Sequence, residues 1–169
     1  MQVVEGRARI DDVRAFVETL GEIGEDHGCV VQPLDARYVI DRAHLERAVE
    51  LAERARERGE AIADDPAVEV LLYAAGRRQI DRALEMGVGE GECPVVVVVL
   101  ERGAGDSMDA ERAAAEAVAD LLDPAETLGN YDVDRVRAFF GVGDRELAAT
   151  DAGLPALVRE RVALLPVEK

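Results

Sequence analysis

The chain has 169 residues, 49% of them hydrophobic, enough to bury one core and too few to expect two, so a single domain spanning 1–169 is expected. Its 36 acids outweigh 20 bases to a formal net charge of −16, and Lys169 is the one lysine among those bases. No run of eighteen apolar residues occurs, which excludes a membrane-spanning helix, and the opening MQVVEGRARI carries charges instead of an apolar leader core; a soluble, cytoplasmic protein is expected.

From the N-terminus, VVEGRARI (3–10) alternates as a strand does. DDVRAFVETLGEIGE (11–25) follows as a helix, with acids in its first turn, Val13, Phe16, Val17 and Leu20 on one face, and glycines to end it. CVVQPL (29–34) is a short strand. Asp41 can cap a helix in which Leu45, Ala48, Val49, Ala52 and Ala55 share a face while Glu50 and Arg54 pair on the wet side, and Gly59 ends it. Asp65 and Pro66 open the next helix, which buries Val68, Leu71, Leu72 and Ala75. Ile80, Ala83 and Leu84 make a second apolar face. Gly76, Arg77 and Arg78 lie between the two, so the segment predicts helix, tight turn, helix.

PVVVVVL (94–100) is β-branched without polar alternation, the pattern of a strand covered on both faces. Helices at 109–122, 132–140 and 154–165 complete the chain. The expected fold is mixed α+β: one two-layer domain, its small mixed sheet centred on the VVVVVL strand and packed by several helices.

Short apolar side chains, as in AERAAAEAVADLL (110–122), 4% aromatics and arginine in place of lysine are the marks of a surface adapted to high salt. A generic acidic protein would not explain the missing lysine, so most of the charge is assigned to environment and not to function. Cys29 and Cys93 lack metal or redox spacing and are expected to be free core thiols.

Catalytic residues are not found in any working arrangement. Ser107 is the one serine and has neither His27 nor His44 near it in sequence, against a serine triad. GVGEGE (87–92) follows a helix and precedes a strand, the reverse of a phosphate-binding glycine loop. DHGC (26–29) offers three ligand types with no second cluster to complete a metal site. No catalytic residue, cofactor or metal is expected, and the chain reads as a non-enzyme.

The order of segments is itself informative. DARYVIDRAHLERAVELA, EVLLYAAGRRQIDRALEMGV, PVVVVVL, RVRAFFGVGDRELAATD and LPALVRERVALLPVEK together resemble the small kinase-binding subunit of the KEOPS complex, the family of the PRPK-binding protein, from about residue 5 to the C-terminus. The GRRQI turn, the His44–Leu45 dipeptide and ERVALL (160–165) carry the likeness; Ala75 stands where the family often has serine. The halophilic composition adds a halophilic archaeon as the expected source.

The resemblance implies a regulatory subunit in tRNA threonylcarbamoyladenosine modification, bound to an atypical serine/threonine kinase, indirectly to the catalytic subunit, and to the single-stranded 3′ CCA end of tRNA. In residues 154–165, Leu154, Val158, Val162 and Leu165 form one stripe, with Leu157 and Leu164 on a second flank. That flank either lies under another helix or docks a partner, and the resemblance favours kinase docking, with Arg161 as an anchor. Gly76, Arg77, Arg78 and Gln79 would form the tRNA-end notch: freed amides at a helix start, an amide for a base edge, and guanidinium groups that pair with phosphate or stack on a base. Tyr73 adds a stacking face or packs between helices. The alternative is a protein-only adaptor in which the turn is structural.

Overall fold

The computed structural model describes residues 1–103 and 108–167; Ser107 and Lys169 lie outside them. Among the described residues the architecture is α+β, with a three-stranded sheet in the order β1-β3-β2. The chain divides into two compact units, Met1–Ala36 with Gly87–Leu128, and Arg37–Met86 with Gly129–Lys169.

The first unit holds the sheet: β1 (Gln2–Ile10), β2 (Cys29–Asp35) and β3 (Gly91–Glu101). The valine run is its central strand, and Val97 lies between Val4 of β1 and Pro33 of β2. Both ladders are antiparallel, where a mixed sheet was expected. β3 also begins earlier than its valines, at Gly91, so the end of GVGEGE is strand and not turn. Val95, Val97 and Val99 face a core shared with Val4, Val31 and Leu20, and with Ala114 and Val118. Val96 and Val98, which alternate with them, are as fully buried, which accounts for an unbroken apolar run in place of an alternating one.

Helices α1 (Val13–His27) and α5 (Met108–Ala119) supply that core's other layer. Asp12 caps α1 by accepting from the Ala15 N–H at 3.1 Å. At Gly24 a Cβ would stand 2.6 Å from the Cys29 carbonyl oxygen, so the bare glycine lets α1 approach β2. Beyond α5, a strap runs beside β1: Arg7 and Asp123 exchange backbone hydrogen bonds of 2.8 Å, and the Glu5 carboxylate accepts from the N–H groups of Thr127 (3.1 Å) and Leu128 (2.8 Å). Cys29 and Cys93 are buried and free, as expected.

The second unit is helical: α2 (Arg42–Glu57), α3 (Pro66–Ala75), the short α4 (Ile80–Ala83), α6 (Val133–Phe140), α7 (Asp144–Ala148) and α8 (Gly153–Leu164). α2 packs on α3 and α8, and α8 also meets α6 and α7. The caps foreseen at Asp41 and Asp65 are both made, to the N–H groups of His44 and Ala67 at 2.8 Å each. Glu69, wholly buried, accepts from the N–H groups of Ile62 (3.0 Å) and Ala63 (2.7 Å), fastening the loop before α3 to the helix itself.

Gly6 permits the strap's contact: a Cβ there would lie 2.8 Å from both the Asp123 carbonyl oxygen and the Leu122 Cβ. Gly6→Ala is therefore expected to cost about 1–3 kcal/mol in urea unfolding, because backbone and not a pliable side-chain tip must move; an unchanged midpoint would show that the strap carries no stability.

Candidate functional site

The break in the α3 pattern is a left-handed closure. Gly76 has φ 62°; its N–H bonds back to the carbonyls of Leu72 and Tyr73, and the Arg77 N–H to that of Leu72 at 3.0 Å. This closure satisfies the end of α3 and uses a conformation in which glycine is nearly free of strain. The Gly76 and Arg77 amides are thus spent on the end of α3.

Arg77 then turns towards α6. Its guanidinium donates to the Phe139 carbonyl and lies over the Phe139 ring, 5.1 Å from the centroid. From α8, Arg161 reaches the same place: Nε donates to the Phe140 carbonyl (3.1 Å), Nη2 to that of Gly141 (3.2 Å), and the two Nη atoms grip the Glu146 carboxylate at 2.7 Å. The Arg161 hydrogen bond holds the Glu146 carboxyl below its ordinary pKa. Three successive carbonyls at the negative end of α6 are thereby served by two cations. A Cβ at position 76 would meet the Arg161 carbonyl oxygen at 3.5 Å, so the end of α3 also touches α8 directly. Arg77 and Arg161, assigned by sequence to two separate surfaces, converge on one helix terminus.

An open groove of about 360 Å³ lies beside this junction, lined by Arg77, Asp81, Arg82, Glu85, Ala138 and Phe139. Arg78 and Gln79 are exposed next to it. α4 has only four residues, and Gln79 makes no side-chain cap, so the helix start expected to attract phosphate carries little dipole. Ile80 and Leu84 are also not the buried face the pattern predicted: they are 48% and 57% exposed, and only Ala83 of the three is buried. So short an element cannot turn three apolar residues inward. Arg82 was missed by sequence reasoning. It is exposed, lines the groove and forms no ion pair among the described residues; its place one helical turn after Arg78 was the available signal.

The apolar residues of α8 need a correction. Leu154, Leu157, Val158, Val162 and Leu165 are all 7% exposed or less, so the first stripe and the Leu157 part of the second flank pack inside the second unit, and of the expected docking flank only Leu164 stays open. The physical reason is that α8 is surrounded by α2, α3, α6 and α7, which bury more than one of its faces. What α8 presents outward lies at its end: Leu164 is 41% exposed and Val167, just beyond, 71%. Tyr73 is buried, packing between helices and not offering a stacking face.

His44 has a purely structural setting. It is fully buried; Nδ1 accepts from the Ile40 N–H (3.2 Å), which places the proton on Nε2, donating to the Ala74 carbonyl (2.8 Å). Burial pushes its pKa below the usual imidazole value, against the opposing pull of the Ala74 hydrogen bond and of Asp41, while Arg159 adds to the lowering. Arg159 is itself paired with Asp41 at 3.0 Å.

Among the described residues, no group of three or more histidine, cysteine or acidic side chains could hold a metal, and no helix is long and apolar enough to cross a membrane. The groove sets Arg77 and Arg82 beside Asp81 and Glu85, and the end of α8 leaves Leu164 exposed. In comparison with known proteins, the family model described as kinase binding protein CGI-121 matches residues 14–165. No curated protein matches the chain.

Two outcomes follow from the burial. Because the folded His44 titrates below about 6.5 and the unfolded one near it, the unfolded state binds the extra proton between the two values; stability should hold above about pH 6.5 and fall below it, by up to about 1.4 kcal/mol per pH unit. His44→Gln, with a donor and an acceptor but no such proton, should lose that part of the slope in urea titrations at pH 5 to 7.5. Val158→Asp should cost at least about 3 kcal/mol by the same measurement, and Leu164→Asp no more than about 0.5 kcal/mol; equal effects would mean that α8 is not packed as described.

Proposed function

Because the chain belongs to the kinase binding protein CGI-121 family, we propose that it is a non-catalytic regulatory subunit of the KEOPS assembly, docking an atypical kinase and holding the 3′ CCA end of tRNA for threonylcarbamoyladenosine modification. The kinase docks on the outer end of α8. The exposed Leu164, at the end of α8, and Val167, just beyond it, support this, being large apolar side chains left in water.

The observation that carries the RNA half is the groove. In a chain of net charge −16, three arginines gather around one opening: Arg77 and Arg82 line it and Arg78 is exposed beside it. Arg82 and Arg78 meet phosphates, Gln79 offers its amide to a base edge, and Gly76 sets the turn. Arg77 positions Phe139 and does not itself reach for RNA, since its guanidinium is engaged with that residue. A second reading, a protein-only adaptor, is favoured by this same engagement, which gives the GRRQI turn a purely structural purpose.

The test uses substitutions that leave the α6 terminus alone. Arg78→Glu with Arg82→Glu should lower affinity for intact tRNA at least tenfold and reduce the salt slope, with kinase binding unchanged. Removing the terminal CCA from the tRNA should weaken binding to the unaltered protein as much. Equal affinity for intact and trimmed tRNA would leave the protein-only adaptor. Leu164→Asp with Val167→Asp should abolish kinase binding while circular dichroism stays native.

A further inference from the structure

Near the end of α8, the second unit carries a dimple of about 80 Å³, lined by Leu51, Ala55, Tyr73 and Pro166. Pockets for metabolites or cofactors usually enclose several hundred Å³. This one has room for a single side chain.

Its chemistry is set by Tyr73. The residue is only 3% exposed, yet its hydroxyl makes no hydrogen bond among the described residues. No fully buried side-chain polar atom among those residues lacks a partner, so this hydroxyl retains an opening to solvent, and Tyr73 is in the lining of the dimple. A tyrosine buried to this degree ordinarily spends its hydroxyl on a neighbour. Here the donor is unspent.

The rim carries charge of both signs. Arg54, Arg58 and Glu60 complete the lining. Arg54 is held by Glu50 at 2.8 Å, whereas Arg58 has no ion pair among the described residues. An apolar hole with an unused phenolic donor in its lining and the Arg58 guanidinium to offset Glu60 can take a carboxylate carried on a short aliphatic stem. Pro166 joins the dimple to the stretch that carries the exposed Leu164 and Val167, so both can lie under one partner.

We propose that this dimple receives an aspartate or glutamate side chain of the kinase, whose carboxylate accepts from the Tyr73 hydroxyl and pairs with Arg58 while its stem packs on Leu51, Ala55 and Pro166. The inference rests on the α8 docking reading and adds the anchor that gives it specificity. Tyrosine and arginine are the residue types that most often dominate such interfaces.

Titration calorimetry with the purified cognate kinase tests it. Tyr73→Phe, which keeps the ring, should weaken binding roughly tenfold. Arg58→Glu should weaken it more and flatten its salt dependence, while Arg58→Lys retains most of the affinity; circular dichroism checks that each variant is folded. If Tyr73→Phe and Arg58→Glu bind the kinase as the unaltered chain does, while the Leu164 and Val167 substitutions abolish binding, the dimple is not an anchor although the docking end stands. If the unaltered chain binds no kinase, both fall. Self-association lost on Tyr73→Phe, with kinase binding intact, would assign the dimple to a second copy of the chain and overturn the proposal.

Discussion

The helical unit depends on the way α6 ends. A helix terminus leaves carbonyls without intrahelical partners, and burying them unpaired would cost several kcal/mol in all. Here Arg77 and Arg161, from positions far apart in sequence, donate to the carbonyls of Phe139, Phe140 and Gly141. Each guanidinium has a further hold, Arg77 on the Phe139 ring and Arg161 on Glu146, so each is fixed in direction as well as paired. The turn after α3, the end of α6 and the middle of α8 are thereby tied at one point. The Gly76 closure has to be tight for this to work, since it is what sends Arg77 across to α6.

That arrangement divides the arginines of the GRRQI segment and its continuation by task. Arg77 is internal in its commitments, whereas Arg78 and Arg82 are exposed on the same short segment. A groove whose lining sets Arg77 and Arg82 beside Asp81 and Glu85, on a body of net charge −16, would be a poor long-range attractor of polyanions at low salt. At molar salt the Debye length is about 3 Å, so distant carboxylates hardly repel a polyanion, and attraction to phosphate is weakened as well. Under such conditions affinity has to come from close contacts: stacking, bidentate hydrogen bonds and apolar burial. The same holds for a protein partner, for which apolar contact and short hydrogen bonds outlast screening.

α8 shows how one helix can serve two masters without being amphipathic in the usual sense. Its central residues fill the space between α2, α3, α6 and α7, and its end carries the residues that remain in water. Substitutions in the middle therefore act on folding, whereas those at the end meet water and not core. His44 and Glu69 belong with the first group. Both are polar groups buried with complete hydrogen bonding, joining backbone segments that helix packing alone would leave unsatisfied.

The sequence by itself determined much of this chain: the α+β class, the central valine strand, the caps at Asp41 and Asp65, the tight turn that interrupts the helix at Gly76, the core cysteines outside any disulfide and membership of a kinase-binding family. These are legible because they rest on local signals, such as β-branched runs, capping residues and glycine, or on the order of segments. It could not say which apolar face of α8 is covered, because a stripe at helical spacing looks the same whether a neighbouring helix or a partner covers it. Nor could it show that Ile80 and Leu84 face water, since that follows from α4 being a single turn. Only the tertiary structure decided that Arg77 and Arg161 meet at α6, that Arg82 lines the groove and that the Tyr73 hydroxyl is left unpaired. Each of these depends on which residues, tens of positions apart, the fold brings within hydrogen-bond reach, and no local pattern in a chain encodes that distance.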